Sequence, residues 1–192
     1  MAGDIYTASG TKFYISSTAV ASTTDTLLEY EALTWTEVAE VEDLGNVGDV
    51  SNEVTAAALG DGRIRKAKGA RNGGTMNLVC LYTAPIDPGQ QAMMDAEETN
   101  DNYAFKIELP DAPPPSGTPT IKYFRGLVGS QELRVGTNDN VMRWAFNIWV
   151  NSPQTVDPAA AGVLMARGAE GGETQRGERQ EQKEPAAVAA AR

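Results

Sequence analysis

The side chains equipped for chemistry are a set of carboxylates, one thiol and a short run of cations. Glu37, Glu40, Glu42 and Asp43 crowd one segment, and Asp95 and Glu98 stand three apart, which places them on one face of a helix. Two carboxylates flanking a glycosidic bond could act as acid and base, or as acid and nucleophile, with their separation setting the stereochemistry. In a chain with 26 acidic residues, however, acidic clusters are mostly solvated surface. A carbohydrate-active β-sandwich enzyme therefore ranks last among the readings, and the chain is expected not to be an enzyme. Histidine is absent, which removes His-assisted serine and cysteine nucleophiles and the usual zinc sites. The single cysteine, Cys80, sits among apolar residues of a strand pattern and reads as a small core side chain. No cofactor and no metal are expected.

The cations are more distinctive. Arg63, Arg65, Lys66, Lys68 and Arg71 fall within "GDVSNEVTAAALGDGRIRKAKGARNGG", residues 48 to 74, of a chain with formal charge −10. A phosphate loop needs Gly, four residues, then Gly-Lys-Ser/Thr, and no Ser or Thr follows Lys66 or Lys68. A calcium loop needs alternating carboxylates closed by a glutamate, and these are missing too. A nucleic-acid patch would lack interleaved aromatics and would compete with the acidic remainder. Two readings stay open: a solvated mobile loop, or an interaction arm. Structureless loops beyond roughly 12–15 residues are uncommon in compact domains unless functional or disordered.

The elements around this stretch are mostly β. "TKFYIS" sets Phe13 and Ile15 against Lys12, Tyr14 and Ser16, and the Ser/Thr-rich segment after it reads as a loop. "LTWTEVAEVEDLG" forms a strand touched on both sides. "GGTMNLVCLY" alternates Met76, Leu78, Cys80 and Tyr82 against polar or outward positions. One helix is expected after it: Asp87 as N-cap, Pro88 at the first turn, and Gln90 completing a capping box, with Ala92, Met93 and Ala96 on the apolar face. "NYAFKIELP" alternates cleanly, and "TIKYFRGLVGSQELRVG" supplies two strands broken near Gly129. "NVMRWAFNIWV" is the last strand, with Met142, Trp144, Phe146, Ile148 and Val150 inward.

Length and composition predict one β domain over residues 1–152, carrying eleven basic and twenty acidic residues. Residues 153–192 hold no aromatic and ten alanines, and are expected to form a flexible Pro/Ala/Glu-rich tail. The start "MAGDIYTASG" shows neither a signal-peptide pattern nor an anchor, so synthesis is expected in the cytoplasm.

Five segments in order carry a resemblance: "TWTEVAEVEDLG", "KGARNGGTMNLVCLY", "DPGQQAMMDA" leading into "YAFKIELPD", "FRGLVGS", and the final strand. Over roughly residues 11–152 the chain resembles the major tail tube proteins of long non-contractile tailed phages of the lambda type and of related gene transfer agents. The resemblance implies a mainly β fold, a β-sandwich or partial barrel with one flanking helix. It implies hexameric rings whose inner sheets close a tube, stacked into a virion tail assembled in the host bacterial cytoplasm. It implies partners as well: further copies of the chain, a tape measure protein in the lumen, and tail terminator and distal tail or baseplate proteins. DNA passes through such a tube without specific binding, and no membrane is involved. Residues 48–73 take the place of the family's inter-subunit arm, so Arg63, Arg65, Lys66, Lys68 and Arg71 become candidates for docking on another copy. An acidic lumen is implied too, with Glu37, Glu40 and Glu108 as candidates from strand alternation. The alternative in the same architecture is the tube protein of a contractile injection or type VI secretion machine. Independently of the resemblance, a β body with open edges needs its edges used, and a ring of identical copies uses them.

Overall fold

The computed structural model describes residues 5–23, 25–60 and 62–161. In chain order these form β1 (Lys12–Ser16), α1 (Leu27–Glu31), β2 (Trp35–Val38), β3 (Val41–Asp43), β4 (Val50–Ala56), β5 (Arg65–Asn72), β6 (Thr75–Leu81), α2 (Pro88–Glu97), β7 (Tyr103–Glu108), β8 (Ile121–Arg134), β9 (Arg143–Val150) and β10 (Thr155–Asp157). The fold is mainly β, a sandwich with a flanking helix, as the sequence leads one to expect.

The main sheet runs β2-β1-β7-β8-β9-β6-β3, with β10 added against the start of β8. Its two edge strands, β2 and β3, are separated along the chain only by Ala39 and Glu40. A sheet whose opposite edges are joined by two residues must curl until those edges meet, which gives the partial barrel. Glu40 makes the join with φ of 57°, a left-handed conformation uncommon outside glycine. This is why the expected single strand over 35–43 is two: the chain leaves one edge of the sheet and enters the other.

Alternation decides the interior. Phe13 and Ile15 of β1, Met76, Leu78 and Cys80 of β6, Phe105 and Ile107 of β7, Phe124 and Val128 of β8, and Phe146, Ile148 and Val150 of β9 form one buried cluster. Phe105 stacks between Phe13 and Phe124, with centroids 5.8 and 5.3 Å away. Each such pair adds about 0.5–1.5 kcal/mol beyond the area it buries. Met142 precedes β9 and is exposed, so the inward row starts at Trp144.

Helix α2 closes the barrel where β2 meets β3. Asp87 caps it by accepting from the Gly89 and Gln90 N–H groups (2.9 and 3.1 Å), and the same oxygen accepts from Ala39 N–H at 3.1 Å. Gly89 lies so close to the β2 backbone that a Cβ would stand 2.1 Å from the Glu37 carbonyl oxygen. Gln90 is fully buried, and its amide donates to the Ala39 and Leu81 carbonyls (3.2 and 3.0 Å). Gln90 thus does not complete a capping box; its side chain is drawn to the seam instead. Met93 and Ala96 face the core, as expected from their spacing.

Further departures from the sequence reading have local causes. A short helix, α1, follows the Ser/Thr-rich loop, started by a capping box between Thr26 and Glu29. It lays Tyr30 on Tyr123 (centroids 5.3 Å) in a small second cluster on the outer sheet face. β8 is one strand rather than two: the register shifts between Val128 and Ser130, and Gly129 leaves room for the Trp149 ring, which a Cβ would meet at 2.3 Å. The bulge bends the strand without ending it. Residues 155–157, assigned to the tail by composition, pair with β8, and Ala160 bridges to Thr118. The tail expectation for residues 162–192 lies outside the described residues. Among the described residues no helix is long and apolar enough to cross a membrane.

Candidate functional site

The stretch that the sequence leaves as a long loop is an antiparallel hairpin, β4–β5, forming its own two-stranded sheet. The signal was present: Val50, Asn52, Val54 and Ala56 alternate with Ser51, Glu53 and Thr55. The glycines and charges of 60–74 masked it. The pairing is Val50↔Asn72, Ser51↔Arg71, then Glu53↔Lys68, Val54↔Ala67, Thr55↔Lys66 and Ala56↔Arg65. Between the two blocks Gly69 and Ala70 oppose Asn52 alone, a bulge on β5. A Cβ on Gly69 would come within 3.0 Å of Val54 Cγ2, so the bulge is tight on that side.

Register sorts the five cations. Opposed residues share a face, so Lys66, Lys68 and Arg71 line one face with Ser51, Glu53 and Thr55. Lys66 Nζ donates to Glu53 at 3.0 Å, an exposed pair worth little on its own. Arg65 lies on the opposite face beside Ala56, and Arg63 belongs to the tip. That opposite face carries Val50 and Val54, 67% and 52% exposed. The tip adds Leu59, fully exposed, and Ile64 at 60%. Sequence reasoning singled out the charge of this arm and missed its apolar side chains. Only Ser51 and Gly69 of the two strands are even partly covered, so the hairpin projects from the body rather than lying on it.

The carboxylate candidates separate into two places. Glu37 lies opposite Tyr14, which also lies opposite Lys106; Lys12 lies opposite Glu108. These side chains form one cluster on the outward face of β2-β1-β7. Lys106 Nζ sits 3.8 Å above the Tyr14 ring and 4.0 Å from Glu108, and Lys12 is 4.0 Å from Glu37. Burial, then the charges of Glu108 and Glu37, push the Tyr14 hydroxyl up to about 12. Burial lowers Lys106 against the pull of the same two carboxylates. Two lysines thus balance Glu37 and Glu108 locally. Glu40 is not with them: it occupies the left-handed turn at the barrel seam, exposed, its carbonyl accepting from Leu81 N–H at 2.8 Å.

Of the remaining acidic candidates, Glu98 is the C-cap of α2, and Glu42 and Asp95 have partners of their own. Glu42 is gripped by Arg143 through both carboxylate oxygens, one bond being Nη2–Oε1 at 2.9 Å, and this hydrogen bonding holds its carboxyl below the ordinary range. A general acid needs the opposite shift. Asp95 accepts from Gln91 at 2.8 Å on the exposed side of α2. Cys80 is fully buried, and burial pushes its thiol up to about 12, away from nucleophilic use. Among the described residues no three Cys, Asp or Glu side chains gather as metal ligands would.

No family model matches the chain, and no curated protein matches it. Solved structures do. A chain of the anti-feeding prophage (AFP) baseplate, determined by cryo-EM with sixfold symmetry, aligns over 77% of this chain and 91% of its own, at 12% identity and a TM-score of 0.53. A chain of the SPP1 tail tube, determined by solid-state NMR and cryo-EM, aligns over 80% of this chain and 79% of its own, at 14% identity and a TM-score of 0.50. At such identities the likeness is one of fold.

Proposed function

We propose that this chain is a structural subunit of a tail tube, assembling with copies of itself into stacked hexameric rings and performing no catalysis. The observation that carries the reading is the projecting β4–β5 hairpin on a curled sheet whose fold is shared with an SPP1 tail tube chain and a sixfold baseplate chain. An arm with one cationic face and one apolar face, both strands exposed along most of their length, suits a second surface. The lambda-type placing, among siphophage or gene transfer agent tails, rests on the sequence segments that resemble that family.

In this reading the hairpin with Arg63, Arg65, Lys66, Lys68 and Arg71 bridges to another copy, whose body is acidic. Glu37, Glu40 and Glu108 are assigned to the lumen wall, with the body's acidic excess keeping transiting DNA from adhering. Lumenal tape measure protein, a terminator and distal tail or baseplate proteins would complete the tail, put together in the bacterial cytoplasm. The fold shared with the AFP baseplate chain favours a second reading, a tube or baseplate component of a contractile injection machine.

The test is replacement of Arg63, Arg65, Lys66 and Lys68 by Glu, followed by electron microscopy and thermal melting. Stacked rings should be lost while Tm changes little, because these side chains are exposed to solvent, where charge pairs add little stability. Tubes of normal length and salt sensitivity would mean that the arm's charge plays no part in assembly.

A further inference from the structure

A groove of about 600 Å³ opens beside the barrel seam, between the N-terminal segment, the end of β3 with its following turn, and the chain leaving β7. Its floor is Val41, Leu44 and Leu109, half-buried side chains that pack inward on the main core and are left uncovered outward. Tyr6 forms an exposed wall. Three carboxylates line it: Glu42 is already held by Arg143, Asp43 Oδ1 accepts from Gly45 N–H at 2.8 Å, and Asp111 Oδ1 accepts from Thr120 N–H at 2.6 Å. The groove therefore calls for an occupant with apolar bulk and positive charge.

The hairpin tip offers apolar bulk in exposed Leu59 and Ile64 and one cation, Arg63, beside Ile64, with Asp61 the one acid in that stretch of sequence. It cannot reach the groove of its own chain. The groove includes Leu44 and Gly45, just before the hairpin's base, whereas seven residues of β4 carry the tip about 23 Å from that base. Both hairpin strands are exposed along their length, so the arm does not fold back.

We infer that this groove is the receptor for the hairpin tip of a neighbouring copy: Leu59 and Ile64 cover the apolar floor, and Arg63 pairs with Asp43 and Asp111. The inference rests on the assembly reading above and names the surface where the arm docks. Because donor and receptor are different surfaces of one chain, the contact is head-to-tail and propagates through successive copies.

Paired cysteines test it, since buried Cys80 stays silent. A chain carrying both Leu59→Cys and Leu44→Cys, oxidised after concentration, should give a ladder of covalent dimers, trimers and higher species on a non-reducing gel. Each single variant should give at most a trace. Leu44 packs on the core, so Tyr6→Cys on the exposed wall serves as a second partner for Leu59→Cys if the first variant does not fold. Rings or tubes in the microscope from both double variants without any ladder would overturn the groove as receptor and leave the assembly reading standing. Failure of the unsubstituted chain to assemble at all would overturn both.

Discussion

Removing the Asp87 carboxylate leaves the N–H groups of Ala39, Gly89 and Gln90 without their acceptor at the join of barrel and helix. Loss of a helix cap, together with an unsatisfied seam donor, should cost Asp87→Ala about 2 kcal/mol, lowering Tm by several degrees. Stability equal to the parent's would mean that α2 does not hold the seam. Tyr14 gives a prediction in pH. Its hydroxyl ionises near 12 in the fold against an ordinary 10.0, so the folded chain keeps a proton that the unfolded chain releases. The associated stability is whole below about pH 10 and is lost as pH rises through about 12. Lys106, shifted downward, works in the opposite sense, favouring the fold as it loses its proton. Tyr14→Phe should therefore flatten the alkaline fall of the urea midpoint between pH 10 and 12. An unchanged slope would remove Tyr14 as a contributor.

At the scale of elements, β4 and β5 pair with each other and leave the barrel strands their own partners. Val50 and Asn72 already face each other at the base, so a two-residue turn can join Asp49 to Gly73 without straining the body. That deletion should keep Tm within a few degrees of the parent while abolishing self-association in sedimentation; a collapse of Tm would show the hairpin to be part of the core instead. The strands β1, β6, β7 and β9 were legible in the sequence because each sets its large apolar side chains at alternate positions. The Asp87-Pro88 start of α2 was legible for its capping chemistry. The hairpin was not, because with both faces exposed nothing sharpened its alternation and its glycines read as loop. Thr26 and Glu29 carried the signature of α1, hidden in a polar run.

At the scale of the whole molecule, what could not be read locally is what long-range pairing decides. That β2 and β3 are opposite edges of one sheet follows from strand order, and strand order is not a local property. The groove gathers side chains near residues 6, 43 and 110 for the same reason. The sorting of the five cations onto two faces and a tip likewise waited on the bulge at Gly69. On the proposed reading, a projecting arm and an acid-rimmed groove at a distance from it suit open-ended association rather than a closed pair. The most direct measurement is negative-stain electron microscopy of the purified full chain across a concentration series. The account predicts sixfold rings that stack into hollow tubes as concentration rises. Isolated single-chain particles at every concentration, with the protein folded by its thermal melt, would contradict it.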